Sequence, residues 1–310
     1  MKTAVLLMGP TASGKTDVAI SLCKRFPCDI ISVDSALVYR GMDIGTAKPD
    51  GATLQRTPHR LVDIRDPEES YSAGDFVRDA RTEMDAIFRA GRIPLLVGGT
   101  MMYFRALTGG LADLPSADTT IRASIDADAA RLGWPAMHRE LQKIDAVAAG
   151  RINPNDSQRI QRALEVYRVT GKPLSDWQKE SALAMPPADV RHVKIALLTA
   201  TRSILHKRIE ARLNLMINNG FLDEVRTLQK RRKLTRECSS MRAVGYRQFW
   251  TYLVGECTLA EAESEALAAT RQLAKRQLTW LRSESSLSTF DPLDPRSIDS
   301  ISALLADTLT

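Results

Sequence analysis

The chain has 310 residues, more than the usual size of one domain, and 44% of them are hydrophobic, which is enough for a core. It lacks a membrane-length apolar stretch, a signal-peptide start, a CxxC pair and a zinc spacing, so we expect a cytoplasmic protein with reduced thiols. The net charge is +6, and residues 191–285 hold 18 Lys and Arg against 9 Asp and Glu. This basic segment indicates either a polyanionic partner or a solvated helical surface.

The first hundred residues predict alternating strands and helices. Apolar runs predict strands at Ala4–Met8, Asp29–Val33 and Ile93–Val97. Helices are predicted from about Thr16 to Arg25 and over Ser72–Ala90, where Ser72 is a candidate cap and Gly91 ends the pattern. This β-α-β order is typical of a parallel sheet with helices on both faces, and ligands bind such sheets at the carboxyl ends of the strands.

The alternation then stops. Residues 113–190 are mainly helical in pattern, with Asn153-Pro154-Asn155-Asp156 opening a helix that Gly171 ends, and Val193–Leu198 resembles another core strand. Residues 201–285 are helical again, and Thr258 with Glu261 forms a capping box. We therefore predict an α/β fold: a P-loop NTPase-like parallel sheet core (1–112 and 191–285), a helical insertion domain (113–190), a helical C-terminal region and a peripheral tail (286–310).

A phosphate-binding loop lies between the first strand and the first helix. It matches G-x-x-x-x-G-K-[ST] in full, with the residues Gly9, Pro10, Thr11, Ala12, Ser13, Gly14, Lys15 and Thr16. In this context the loop N–H groups, the helix N-terminus and Lys15 hold a di- or triphosphate, and the Thr16 hydroxyl can ligate Mg²⁺. The motif predicts binding of such a ligand without indicating that ATP is hydrolysed.

Asp34 ends the second predicted strand, which makes it a candidate for the chemistry of the site. Its position is that of a Walker-B acid that holds Mg²⁺ through water, and equally that of a base that faces the substrate. No N-K-x-D motif is present, which disfavours a guanine-specific GTPase. Arg208 and Arg212 share a helical face after the Val193–Leu198 strand; they could reach the phosphates of the ligand or form surface ion pairs with Glu210 and its neighbours.

Several further motifs occur in order along the chain. They are Asp34-Ser35-Ala36-Leu37-Val38-Tyr39-Arg40, Gly45-Thr46-Ala47-Lys48-Pro49, Pro58-His59-Arg60-Leu61-Val62-Asp63, Val97-Gly98-Gly99-Thr100, Asn155-Asp156-Ser157-Gln158-Arg159-Ile160, Arg242-Ala243-Val244-Gly245-Tyr246-Arg247 and Lys275-Arg276-Gln277-Leu278-Thr279-Trp280-Leu281-Arg282. Together with the phosphate loop, and over roughly residues 3–285, this pattern closely resembles the bacterial tRNA dimethylallyltransferase family.

The resemblance implies a prenyl transfer from dimethylallyl diphosphate to N6 of adenine 37, beside the anticodon of tRNA. The phosphate loop, with Arg208 and Arg212, then holds pyrophosphate as a leaving group, and Mg²⁺ with Lys15 stabilises its growing charge. Similarity assigns the role of general base to Asp34 and a place at the reacting centre and target nucleotide to Thr100. We expect the protein to act as a monomer that uses Mg²⁺.

The resemblance also implies contacts with the anticodon stem-loop. Similarity assigns them to four segments and two single residues: Asp34, Ser35, Ala36 and Leu37; Gln158, Arg159, Ile160, Gln161 and Arg162; Arg242, Ala243, Val244, Gly245, Tyr246 and Arg247; Lys275, Arg276, Gln277, Leu278, Thr279, Trp280, Leu281 and Arg282; Thr100; and Arg122. Trp280 could instead belong to the core, because Leu278 and Leu281 flank it.

Three other functions share part of this pattern. A small-molecule or nucleotide kinase would use the same loop and strand-end Asp, but it does not need the basic C-terminal half. An enzyme that prenylates free adenine nucleotides lacks a use for the insertion. A non-enzymatic RNA-binding module would not need Asp34 and Thr100 to converge on the phosphate.

Overall fold

The computed structural model describes residues 2–110, 114–115, 117–183 and 190–309. The chain divides into two compact units, one made of residues 1–105 and 189–310 and the other of residues 106–188. The boundary predicted between residues 112 and 113 lies outside the described residues. No helix in the described ranges is both long and apolar enough to cross a membrane.

The first unit is built on a sheet of six parallel strands in the order β3-β2-β4-β1-β5-β6. The strands are β1 Lys2–Met8, β2 Cys28–Val33, β3 His59–Arg60, β4 Ile93–Gly98, β5 Val190–Leu197 and β6 Leu287–Phe290. The predicted parallel α/β fold is confirmed. β1 lies between β4 and β5, so the loop that follows it emerges at the centre of the carboxyl edge, where doubly wound sheets bind their ligands.

The helices account for most of the remaining chain. Up to the end of the second unit they are α1 Lys15–Arg25, α2 Gly51–Arg56, α3 Ala73–Arg89, α4 Met101–Gly109, α5 Thr119–Leu132, α6 Trp134–Ile144, α7 Ala146–Ala149, α8 Ser157–Thr170 and α9 Leu174–Leu183. After β5 follow α10 Arg202–Asn218, α11 Phe221–Gln229, a 3₁₀ turn at Ser240–Arg242, α12 Tyr246–Leu253, α13 Leu259–Arg282 and α14 Ser297–Leu309.

The start and stop signals in the sequence position several of these helices. A capping box of Ser72 and Asp75 opens α3, and Thr258 with Glu261 opens α13 in the same way. Gly171 ends α8 in the left-handed conformation that favours glycine. These helix ends agree with the predicted ones.

The second unit has a small core of its own. Ile125 of α5, Met137 and Leu141 of α6, and Ile160 and Leu164 of α8 are all fully buried in it. The Asp156 side chain accepts a hydrogen bond from the Arg159 N–H and so caps α8.

The prediction of a peripheral tail was wrong. Within 286–310, β6 extends the sheet beside β5, and Ile301 and Leu305 of α14 are fully buried in the same core cluster as Leu22 of α1. The sequence carries the reason, because Ile298, Ile301 and Leu305 recur at the three- and four-residue spacing of an apolar helix face. The polar composition between these residues concealed that period.

We predict that Leu305→Ala lowers the free energy of unfolding by about 2–5 kcal/mol, because it leaves a cavity against the sheet. Urea unfolding followed by circular dichroism measures the change. Asp307→Ala, at an exposed position of the same helix, is the matched control and should stay within about 0.5 kcal/mol of wild type. Equal stability of both variants would contradict the packing of α14 into the core.

Candidate active site

The phosphate loop, residues 9–16, connects β1 to α1 and has the backbone shape of an anion site. Ala12 and Gly14 have φ values of 61° and 86°, and left-handed residues of this kind form N–H nests. The loop also packs closely on the sheet. A Cβ at Gly9 would lie 2.8 Å from the Ser13 hydroxyl and 2.9 Å from the Leu197 carbonyl oxygen, so only glycine fits there.

Lys15 folds back over this loop. Its Nζ donates a hydrogen bond to the Pro10 carbonyl at 2.6 Å. Burial, together with the positive charge of Arg212, lowers the pKa of Lys15 to about 7, while the charge of Asp34 opposes the shift. A site that destabilises its own cations in this way is prepared for an anionic ligand, which would restore the full charge of the lysine.

Two arginines of α10 lie at the same site. The Arg208 Nε donates to the Ala12 carbonyl at 2.7 Å, and Arg212 donates to the Thr46 carbonyl at 3.1 Å. Burial lowers the pKa of Arg212, and the negative charge of Asp34 opposes this effect. Glu210, the alternative surface partner, instead pairs with Arg271 at 3.1 Å. The geometry thus brings Arg208 into contact with the phosphate loop and Arg212 close enough for its charge to act on Lys15.

Asp34 and Thr100 meet at the ends of the neighbouring strands β2 and β4. One Asp34 oxygen, Oδ1, accepts the Ala36 N–H at 2.8 Å and the Leu37 N–H at 3.4 Å. The Thr100 hydroxyl accepts the Ser35 N–H at 3.1 Å, which ties the two strand ends together. The carboxylate is therefore held in one orientation beside the threonine.

Glu224 of α11 anchors the loop that contacts Arg212. Its carboxylate accepts hydrogen bonds from the backbone N–H groups of Asp43, Ile44 and Gly45 at 2.9, 2.7 and 3.1 Å, and from the Tyr246 hydroxyl at 2.5 Å. This residue is not among those predicted from the sequence. No local pattern relates a glutamate in an ordinary helix to a loop about 180 positions earlier.

Lys48 holds the other end of the same loop. Its side chain is only 4% exposed, and its Nζ bonds Asp43 and Asp63 at 2.5 Å each and the Tyr39 carbonyl at 2.9 Å. The lysine of the Gly45–Pro49 motif is thus a structural cation. The only indication of this structural role in the sequence is that Lys48 lies in a loop that contains glycine and proline.

Comparison with known proteins shows the family of this chain. A family model described as IPP transferase matches residues 37–284. The chain belongs to this family. It is 56% identical to a tRNA dimethylallyltransferase of Thiobacillus denitrificans, over 94% of this chain and 92% of the relative. It is also 51% identical to tRNA dimethylallyltransferase 2 of Hahella chejuensis, over 99% and 96%. The predicted family is confirmed, and the kinase alternative is not favoured.

Solved structures agree with this placement in the IPP transferase family. The fold matches a full-length tRNA isopentenylpyrophosphate transferase of Bacillus halodurans with a TM-score of 0.71 and 38% identity, covering 99% of this chain and 96% of that one. A eukaryotic dimethylallyltransferase described as acting on tRNA matches with a TM-score of 0.82 and 25% identity, covering 99% and 79%.

The segments assigned to tRNA by resemblance to this family differ in exposure from residue to residue. Exposed members are Ser35, Gln158, Arg159, Arg242, Arg247, Lys275, Arg276, Thr279 and Arg282. Half-buried members are Asp34, Ala36, Leu37, Thr100, Arg122, Gln161, Arg162, Ala243, Val244, Leu278 and Trp280. The Arg105 guanidinium lies over the Trp280 ring, 5.5 Å from the ring centre. Trp280 is therefore half-buried, and the face of its ring beside Arg105 is covered.

The remaining members of these segments lie inside the protein. Ile160, Gly245, Tyr246, Gln277 and Leu281 are buried, so in this structure the side chains of the other four and the backbone of Gly245 are not exposed to a nucleic acid. For Ile160, Gln277 and Leu281 the reason is helical geometry, because a continuous helix turns every third or fourth residue into the core. Tyr246 packs edge-on against Phe221, and a Cβ at Gly245 would lie 2.9 Å from that ring.

Within the second unit, the buried carboxylate of Glu165 organises two of the assigned arginines. It accepts hydrogen bonds from Arg122 at 2.9 and 3.1 Å, from Arg162 at 2.7 Å and from the Asp118 N–H at 2.8 Å. Burial acts to raise the pKa of Glu165, but these hydrogen bonds outweigh it and hold the pKa below its ordinary value. The two guanidinium groups are therefore held in place by a fixed negative charge.

The lowered pKa of Lys15 predicts proton uptake when a diphosphate binds at pH 8. In the free protein Lys15 is mostly neutral above pH 7. The negative charge of a bound diphosphate raises the pKa of Lys15 again, so Lys15 takes up a proton on binding. The affinity for the diphosphate therefore falls by up to about tenfold per pH unit above 7. Calorimetric titration with inorganic pyrophosphate in buffers of different ionisation enthalpy measures the uptake. Lys15→Arg keeps the charge without titrating and is the control; equal uptake by both proteins would contradict the lowered pKa.

Proposed function

We propose that this protein transfers a dimethylallyl group from dimethylallyl diphosphate to N6 of adenine 37 in tRNA and releases pyrophosphate. The observation that carries the proposal is the convergence of a cationic phosphate loop with Asp34 and Thr100 at one edge of the sheet, in a chain of the IPP transferase family. The enzyme is a tRNA-modifying transferase that acts as a monomer in the cytoplasm.

On the donor side, the cations of the site act on the leaving group. Lys15, Arg208 and Arg212 hold the diphosphate and stabilise the charge that grows on its bridging oxygen as the C–O bond breaks. Because this charge is greatest in the transition state, the contacts favour transfer over simple binding. The carbon end of the donor is then presented toward Asp34 and Thr100.

The site is also compatible with Mg²⁺. In the described part of the chain, no group of three or more His, Cys, Asp or Glu side chains is placed to hold a metal ion by itself. Mg²⁺ keeps several waters and takes phosphate oxygens together with one or two protein ligands, and the exposed Thr16 in the first turn of α1 supplies a hydroxyl of that kind. When bound, Mg²⁺ adds Lewis-acid stabilisation of the pyrophosphate.

On the acceptor side, Asp34 takes the proton from N6. The lone pair of the adenine amine is delocalised into the ring, so attack on the prenyl carbon needs a base that removes a proton as the C–N bond forms. The two N–H groups bonded to Oδ1 orient the carboxylate and leave Oδ2 for this proton. Thr100 lies beside it to position the target nucleotide.

Recognition of tRNA uses a different set of residues. The target adenine is stacked in the free RNA and must be extruded to reach the site. Exposed cations such as Lys275, Arg276 and Arg282 on α13, and Arg242 and Arg247 before and within α12, supply phosphate contacts. This explains why the basic residues are concentrated in 191–285.

Mass spectrometry of the RNA tests the proposal directly. The protein is incubated with dimethylallyl diphosphate, Mg²⁺ and unmodified tRNA, and the RNA should gain the mass of one prenyl group. The same tRNA carrying guanine at position 37 is the control and should stay unmodified. Prenylation of free adenosine monophosphate, or no product at all, would contradict the proposed acceptor.

The role of Asp34 predicts the outcome of Asp34→Asn. The amide keeps the shape but cannot take the proton, so kcat should fall by about 10²–10⁴ with little change in donor KM. Single-turnover rates across an Mg²⁺ titration distinguish a base from a metal ligand. Recovery of the rate at high Mg²⁺ would assign Asp34 to the metal, whereas a low rate at every concentration supports the base.

The exposure of Lys275 and Arg276 predicts a change in the salt dependence of tRNA binding. Replacing both with Ala should reduce the slope of log K against log salt by about one to two units, because two phosphate contacts are lost. Arg139→Ala with Lys143→Ala, an exposed pair on α6 outside every assigned segment, is the matched control. An unchanged slope in the first variant would make these residues ordinary surface charge.

A further inference from the structure

One buried side chain of α13 joins the two loops that carry the proposed chemistry. The Gln277 Oε1 accepts the Thr11 N–H of the phosphate loop at 2.9 Å, and its Nε2 donates to the Gly99 carbonyl at 2.8 Å. Gln277 is only 8% exposed. A Cβ at Gly99 would lie 2.4 Å from the Gln277 Nε2, so the glycine leaves room for this contact.

The two partners of Gln277 belong to different parts of the site. Thr11 lies in the loop after β1, which holds the phosphates. Gly99 lies in the loop after β4, directly before Thr100, whose hydroxyl accepts the N–H of Ser35 beside Asp34. The side-chain amide of Gln277 thus connects the phosphate loop to the end of β4, which carries Thr100. Through the hydrogen bond between Thr100 and Ser35, it is also connected to the end of β2, which carries Asp34.

We propose that Gln277 is a positioning residue that sets the separation between the bound diphosphate and the Asp34–Thr100 pair. The inference rests on the proposed function and deepens it. Transfer requires the prenyl carbon, the adenine amine and the carboxylate to be aligned, and a misplacement of about 1 Å can reduce a rate about 10²-fold. Gln277 touches neither partner of the reaction in this role and acts through the two loops.

The placement of Gln277 on α13 separates it from its neighbours in sequence. Lys275, Arg276 and Thr279 are exposed, whereas Ala274, Gln277 and Leu281 form the buried face of the helix. The 275–282 motif therefore has two faces with different roles. Its outer face is available to RNA, and Gln277 on its inner face holds the phosphate loop. A loss of Gln277 should leave tRNA binding intact, which distinguishes it from a tRNA contact.

The first test uses Gln277→Met, which has a similar volume but makes neither hydrogen bond. Single-turnover transfer should fall about 10–100-fold, while the Kd for dimethylallyl diphosphate and the Kd for tRNA stay within about threefold of wild type. Amide hydrogen exchange in residues 9–14 should become faster, because the Thr11 N–H loses its acceptor. Gln272→Met, an exposed glutamine on the same helix, is the matched control and should change none of these quantities.

The second test uses Gln277→Glu and measures how its transfer rate depends on pH. A general loss of stability would not produce the pH dependence expected here. The carboxylate still accepts the Thr11 N–H but repels the Gly99 carbonyl oxygen; once protonated, it can donate to that oxygen again. Burial raises the pKa of such a carboxyl, so the rate of the variant relative to wild type should rise as the pH is lowered from 8 to 5.5. Gln272→Glu should show a flat ratio.

The outcomes separate this inference from the proposed function. Absence of prenyl transfer by the wild-type protein would overturn the proposed function. Two measurements on Gln277→Met would still test the role of Gln277: amide exchange in residues 9–14 should be faster, and the Kd for inorganic pyrophosphate should stay nearly unchanged. Unchanged exchange in Gln277→Met, or an unchanged transfer rate, overturns it. So does a tRNA or donor affinity that falls in proportion to the rate, because Gln277 would then be a binding residue. A rate that falls alone, with faster exchange, supports it.

Discussion

The parallel pairing of β1 with β4 on one side and β5 on the other is the constraint on which the site depends. Because β2 pairs with β4 in turn, the carboxyl ends of β1, β2 and β4 lie side by side. The phosphate loop, Asp34 and Thr100 each follow one of these ends. Three short segments far apart in the chain thereby lie along one edge of the sheet. The Ser35 N–H beside Asp34 donates to the Thr100 hydroxyl, and Gln277 links the phosphate loop to Gly99.

Electrostatics then explains why this edge of the sheet is suited to a diphosphate. Lys15 and Arg212 are both partly removed from water, and burial lowers the pKa of each. Holding like charges together costs free energy in the free protein, and a polyanionic ligand removes that cost. The same arrangement favours a leaving group whose negative charge increases during the reaction, since its stabilising cations are already in position.

Hydrogen-bonded carboxylates and amides form the support around these charges. Glu224 binds three successive N–H groups of the loop whose Thr46 carbonyl accepts from Arg212. Gln277 joins the phosphate loop to the strand end before Thr100. A buried polar side chain such as Gln277 is costly unless its atoms are hydrogen-bonded, and both polar atoms of the Gln277 amide have a partner. The helices that follow β5 therefore do more for the donor site than provide basic residues.

The sequence by itself determined the parallel α/β core, the phosphate loop, the positions of Asp34 and Thr100 at strand ends, and the helix ends at Ser72, Thr258 and Gly171. These features are local, because strand composition, loop glycines and caps are set by neighbouring residues. Only the tertiary structure decided that Ile301 and Leu305 complete the core, and that Tyr246 and Gln277 are buried although the motifs that contain them are assigned to RNA. It also decided that Glu224 anchors a distant loop. Burial and long-range hydrogen bonds depend on which elements pack together, and a one-dimensional pattern does not contain that information.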